Sequence, residues 1–96
     1  MQKLNKKTKK KILELAKKKI EYGVFPGICW AVSWAYNVIM NQEQINNIDI
    51  FDIFPEFLIY MPASKTKDMY WFEDNLKGRK KRVRILNYVI AKLKQR

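Results

Sequence analysis

Arginine and aromatic side chains near the end of this sequence have the types and spacing needed to bind a phosphate-bearing ligand. Three consecutive aromatic residues are followed, within a few positions, by a dense basic run. Aromatic rings stack on bases, and a guanidinium can donate two parallel hydrogen bonds to a phosphate. The predicted ligand-binding residues are Tyr70, Trp71, Phe72, Arg79, Arg82 and Arg84.

A structural role competes with this interpretation. Consecutive aromatics in a small domain often pack in the core, so the orientation of Tyr70, Trp71 and Phe72 stays open. Three arginines cannot all enter so small a core, so some of them face solvent or an anion. Trp30 and Trp34 are four residues apart. On a helix they share one face, either as core residues or as the lining of a pocket.

The residues that usually carry catalysis are scarce. The sequence has no histidine, and its single cysteine, Cys29, lies in an apolar stretch where a thiol is usually inert packing. Asp49 and Asp52 are three residues apart, but two carboxylates without a third ligand make a weak metal or acid–base pair. We therefore predict a protein that is not an enzyme, with no catalytic residue, metal site or cofactor.

The net charge of +11 indicates an anionic partner. All 20 lysines and arginines lie outside residues 20–64, and that middle section holds five carboxylates. The chain therefore has an acidic, apolar centre between two basic ends. If both ends fold back onto the centre, their basic faces can meet on one side.

Two helices are predicted in the first half. Residues 1–22 form a basic amphipathic helix that ends at Gly23. Residues 24–41 form a helix that is apolar nearly all round, which favours a core helix over a membrane span because it is short and contains Pro, Gly, Ser and Asn. The apolar stripe expected on the first helix consists of Leu4, Thr8, Ile12, Leu15, Ala16 and Ile20.

The second half continues as short helices over 48–61, an aromatic loop over 62–78 and a basic C-terminal helix over 79–95. Residues 1–96 are expected to form a single domain. The predicted fold is a compact all-α domain of about four helices around the central, apolar, Trp-bearing helix.

Three short motifs carry a resemblance to a group of phage proteins. They are GICWA after the lysine-rich helix, FPEF in the middle, and YWF followed by Arg82 and Leu86. The combination resembles small phage-encoded proteins of the counter-defence type, which share a glycine-x-cysteine helix start, a late aromatic element and an R-x-x-x-L closing helix. Some such factors hold cyclic or ADP-ribose-type nucleotide signals, and the resemblance implies that the aromatics and arginines contact the ligand.

The leading hypothesis is a non-enzymatic protein that sequesters a phosphate-bearing nucleotide signal in the cytoplasm of a bacterial host cell. A homo-oligomer is expected, because the second helix is more apolar than one small domain needs. The alternatives are a nucleic-acid-binding regulator, an inhibitor of a host protein, and, last, a protein at a membrane surface. A membrane partner is not expected.

Overall fold

Helices make up most of the chain that the structure describes. The computed structural model describes residues 4–23, 25, 27–40, 50–57 and 76–93. The helices in these ranges are α1 (Lys6–Glu21), α2 (Ile28–Ile39), α3 (Ile50–Ile53) and α4 (Leu76–Leu93). The same ranges contain no strand, so the prediction of a small all-α domain with about four helices is confirmed. Helix α1 packs against both α2 and α4, and α2 also contacts α3.

Both ends of α1 are fixed by local hydrogen bonds. The Asn5 side chain accepts a hydrogen bond at Oδ1 from the Thr8 N–H, at 2.8 Å, which satisfies one of the free donors of the first turn. At the other end Gly23 has a φ of +75°, in the left-handed region that favours glycine. Its N–H donates to the Ile20 carbonyl at 3.0 Å. Because Asn5 caps it, α1 begins at Lys6, whereas the predicted helix covered residues 1–22.

The buried face of α1 is wider than a single stripe. Ile12, Leu13, Ala16 and Ile20 are fully buried, whereas Leu15 is only partly buried. Leu15 was predicted in the buried stripe, and Leu13 was not. Lys17, one turn after Leu13, bonds to a side chain of α4, so Leu13 lies on the α4 side of α1. A helix with two neighbours must bury a wider arc than one with a single neighbour.

Helix α2 is open to solvent on one side, despite its apolar sequence. Ala31 and Ala35 are fully buried. Asn37 is buried as well and donates from Nδ2 to the Ser33 carbonyl at 3.0 Å. In contrast, Trp30 is 61% exposed and Val38 is 50% exposed.

The segment around α3 contacts α1 through an ion pair and two buried aromatic rings. Phe54 and Phe57 are fully buried and meet edge to face, with ring centroids 6.1 Å apart. Lys9 Nζ lies 2.9 Å from Glu56 Oε2 and 5.9 Å from the centre of the Phe54 ring. Of the predicted short helices over 48–61, the structure describes residues 50–57, in which Glu56 and Phe57 are again helical after Pro55.

Replacing Glu56 by glutamine is expected to lower the free energy of unfolding by about 1–2 kcal/mol. The Lys9–Glu56 pair is mostly buried, so its loss should cost more than that of a surface pair and less than that of a fully buried one. The control is Glu14→Gln, because Glu14 forms a more exposed pair with Lys17 at 3.5 Å. Urea unfolding gives the free energy of unfolding of both variants. If both variants lost equally little stability, Glu56 would not anchor this segment to α1.

Helix α4 begins at Leu76, three residues before the predicted start at 79. Gly78, the last residue of the predicted aromatic loop, lies buried inside α4. Glycine in a helix interior costs about 1 kcal/mol relative to alanine, so local propensity alone places the helix start after it. The buried apolar residues of α4 are Leu86, Val89, Ile90 and Leu93, which share one face of the helix.

Candidate anion-binding site

A surface pocket of 410 Å³ lies between the first half of α4 and the last turn of α1. Five of its six residues belong to α4 and recur at three- and four-residue spacing, which places them on one helix face. The pocket has an apolar floor at Val83, three cationic side chains and one carboxylate. The lining consists of Glu21, Arg79, Lys80, Val83, Arg84 and Asn87.

Arg79 is held in this pocket by close packing against the end of α1. A Cβ atom added to Gly23 would lie 2.9 Å from the Arg79 Cζ and Nη1 atoms and 3.1 Å from Nη2. The guanidinium therefore lies flat against the Gly23 backbone, where only a hydrogen is present. It is also next to the C-terminal end of α1, and a cation is favourable there because the helix dipole is negative. Glycine at position 23 thus serves both the turn and the arginine.

The three predicted arginines do not share one environment. Arg79 and Arg84 line the pocket, and Arg84 is exposed. Arg82 is only 4% exposed and does not line it. Arg82 precedes Leu86 and Val89 by four and seven residues, so it lies on the core-facing side of α4. The structure therefore brings together two of the three.

The predicted aromatic residues fall into two groups. Tyr70, Trp71 and Phe72 lie outside the described residues. Trp34 packs against Phe25, with ring centroids 5.6 Å apart, and Lys19 Nζ lies 5.1 Å from its ring centre. Neither Trp30 nor Trp34 lines this pocket. The self-association expected from the apolar sequence of α2 stays a prediction.

A second pocket, of 440 Å³, lies along the outer face of α1. Leu15 and Ile39 provide its apolar surface, and Glu14 provides one carboxylate. All of its cationic side chains are lysines. The lysines are Lys7, Lys10, Lys11 and Lys18.

Lys17 connects the two pockets. Its Nζ atom lies 3.5 Å from Glu14 Oε2 in the second pocket and donates to Asn87 Oδ1 of the first at 3.0 Å. The basic faces of α1 and α4 therefore adjoin on one side of the molecule, as the charge distribution suggested. Glu21 and Asn87 were not among the predicted site residues. Asn87 could have been found from its spacing of eight from Arg79, but no local pattern connects Glu21 to α4.

Three other sequence candidates lie outside both pockets or outside the described residues. Cys29 is half-buried in α2 and is not in a disulfide, Asp52 is exposed, and Asp49 lies outside the described residues. Within the described ranges, no three acidic or cysteine side chains are grouped as metal ligands would be. No helix in these ranges is both long and apolar enough to cross a membrane.

Fold and site together define a small, basic, all-α protein with two adjoining cationic pockets. Comparison with protein-family models, curated proteins and solved structures gives no match. The resemblance to phage counter-defence proteins therefore stays a prediction.

Proposed function

We propose that this protein is a non-enzymatic binder of a phosphate-bearing nucleotide, which it sequesters as a phage-encoded counter-defence factor in the cytoplasm of a bacterial host. The observation that carries the proposal is the convergence of Arg79, Lys80 and Arg84 on one pocket with an apolar floor. Guanidinium groups match the geometry of a phosphate, and the Lys80 ammonium adds charge that is less directional.

The mixed lining of the pocket favours a nucleotide over a simple anion. Val83 offers apolar contact to a sugar or base, and Asn87 offers an amide close to the cations. Ligand sites commonly combine an apolar surface with a few polar groups that fix the orientation of the ligand. The packing of Arg79 against Gly23 also reduces the entropy that this side chain would lose on binding.

Nucleic-acid binding is the second candidate, and the lysine-lined pocket on α1 favours it. The four lysines there, continued by Lys17 towards α4, form a basic surface longer than one nucleotide requires. Such a surface suits a phosphate backbone, because each neutralised phosphate releases a counterion.

A thermal-shift screen separates the two candidates. The panel contains mononucleotides, cyclic di- and trinucleotides, ADP-ribose derivatives and short single- and double-stranded DNA. A large rise in Tm with one small nucleotide supports the first candidate, since a ligand stabilises the state that binds it. A rise with DNA alone that fades steeply with salt supports the second. No shift with any compound contradicts both and directs the search to a protein partner.

Arg84→Ala is expected to weaken binding of the nucleotide found in that screen by about tenfold or more, because a charge-assisted hydrogen bond is removed. The matched control is Lys77→Ala, which removes the same charge from an exposed residue of α4 outside the pocket. Isothermal titration at physiological salt measures both affinities. Equal losses would show that only net charge matters and would contradict a defined site at Arg84.

A further inference from the structure

The feature that a simple anion site does not explain is the carboxylate of Glu21. Glu21 is the last residue of α1, is exposed, and lines the same pocket as Arg79, Lys80 and Arg84. Among the described residues, no lysine or arginine forms an ion pair with the Glu21 carboxylate. For a bare phosphate such a carboxylate is a liability, because like charges repel.

The pocket has two walls of opposite character. The α4 wall is cationic and provides hydrogen-bond donors. The α1 wall is formed by Glu21, whose carboxylate lies at the C-terminal end of a helix, where the helix dipole adds partial negative charge. A ligand that fits both walls has an anionic end and, beside it, groups that donate hydrogen bonds.

Asn87 has its donor end available for such a ligand. Its Oδ1 atom already accepts a hydrogen bond from Lys17 Nζ at 3.0 Å, which leaves the Nδ2 donors facing away from Lys17. The polar side chains on the α4 side of the pocket therefore all offer donors. Among the described residues that line this pocket, Glu21 provides the only side chain that purely accepts hydrogen bonds.

We propose that Glu21 is a specificity-determining residue that accepts hydrogen bonds from the sugar hydroxyls of the nucleotide whose phosphate Arg79 and Arg84 hold. Neighbouring hydroxyls of a ribose can donate together to the two oxygens of one carboxylate, which is how acidic residues read ribose in dinucleotide-binding folds. The site then selects a phosphorylated sugar with free hydroxyls over phosphate or pyrophosphate alone. This inference rests on the proposed function.

The test compares two probes, ADP-ribose and inorganic pyrophosphate, by isothermal titration on the full chain. In Glu21→Gln, ADP-ribose is expected to bind about tenfold more weakly, because a charge-assisted acceptor is lost. Pyrophosphate is expected to bind more tightly, because a repelling charge is gone. The matched control is Asp52→Asn, which removes one negative charge from an exposed residue that lines neither pocket and should shift both probes equally.

The outcomes separate this inference from the function on which it rests. Opposite shifts of the two probes in Glu21→Gln support the reading of hydroxyls. Tighter binding of both probes would overturn it and leave Glu21 as a repelling charge. If the unmodified chain binds neither probe, or Arg84→Ala changes neither affinity, the proposed function fails and the inference fails with it. Unchanged thermal stability of Glu21→Gln without ligand confirms that the variant is folded.

Discussion

Replacing Leu13 by alanine is expected to lower the free energy of unfolding by about 2–5 kcal/mol, and this loss exceeds that of any other leucine substitution in α1. Leu13 is fully buried on the side of α1 that meets α4. Truncation removes its transfer free energy and leaves a cavity that the three packed helices can only partly close. A domain of this size has a total stability of only about 5–15 kcal/mol, so the variant is expected to be partly unfolded at 37 °C.

Leu15→Ala is the matched control, because it makes the same chemical change two residues away. Leu15 is partly buried and borders the lysine-lined pocket, so we expect a loss of about 1 kcal/mol. Urea unfolding followed by far-UV circular dichroism gives both values. If Leu15→Ala cost as much as Leu13→Ala, the packing of α1 against α4 in solution would differ from the one described.

Gly23→Ala is expected to lower the free energy of unfolding by about 1–2 kcal/mol and to displace the Arg79 side chain. The stability loss comes from strain, because a residue with a Cβ atom is disfavoured by about 1–2 kcal/mol at a φ of +75°. The added methyl group would also lie 2.9 Å from the Arg79 guanidinium, which is the end of a flexible side chain and can move away at little cost in stability. Because the arginine must move, the anion binding proposed for the α4 pocket is expected to weaken as well.

Two further variants separate strain from overlap. Gly23→Asn tolerates the left-handed conformation better, but its Cβ atom still meets Arg79. In an Arg79→Ala background only the strain remains, so the penalty of Gly23→Ala should fall by about 0.5 kcal/mol, which the double-mutant cycle reports as a coupling energy. An identical penalty in both backgrounds would mean that the guanidinium does not lie on Gly23 in solution.

Helical periodicity was sufficient to find α1, α2 and α4, because each buries residues at three- and four-residue spacing. It could not find Leu13, since a periodic stripe assumes one neighbour and α1 has two. It also placed the start of α4 too late, because local propensity argues against Gly78 while tertiary packing accepts it. Periodicity identifies a helix and the face that packs against one neighbour. It indicates neither how many neighbours the helix has nor the residue at which it begins.

For the site, the composition of the C-terminal segment identified the arginines but did not show which of them line the pocket and which is buried. Arg82 lies between two pocket residues in sequence, yet helix geometry turns its side chain to the core-facing side. Its spacing from Leu86 and Val89 contained that information. Glu21 was beyond reach, because 58 residues separate it from Arg79 and only the packing of α1 against α4 brings the two together.

That packing also sets the order in which the molecule can be assembled during synthesis. Helices α1 and α2 are adjacent in sequence and can pair as soon as both have left the ribosome, because closing a short loop costs little entropy. The partner of Lys17 across the α1–α4 contact is 70 residues further along the chain. Until residues 76–93 have been translated, Leu13 has no α4 to cover it, and the arginine wall of the pocket does not exist. Until α4 packs against α1, the nascent chain therefore exposes apolar surface on a strongly basic helix, close to the anionic RNA of the ribosome.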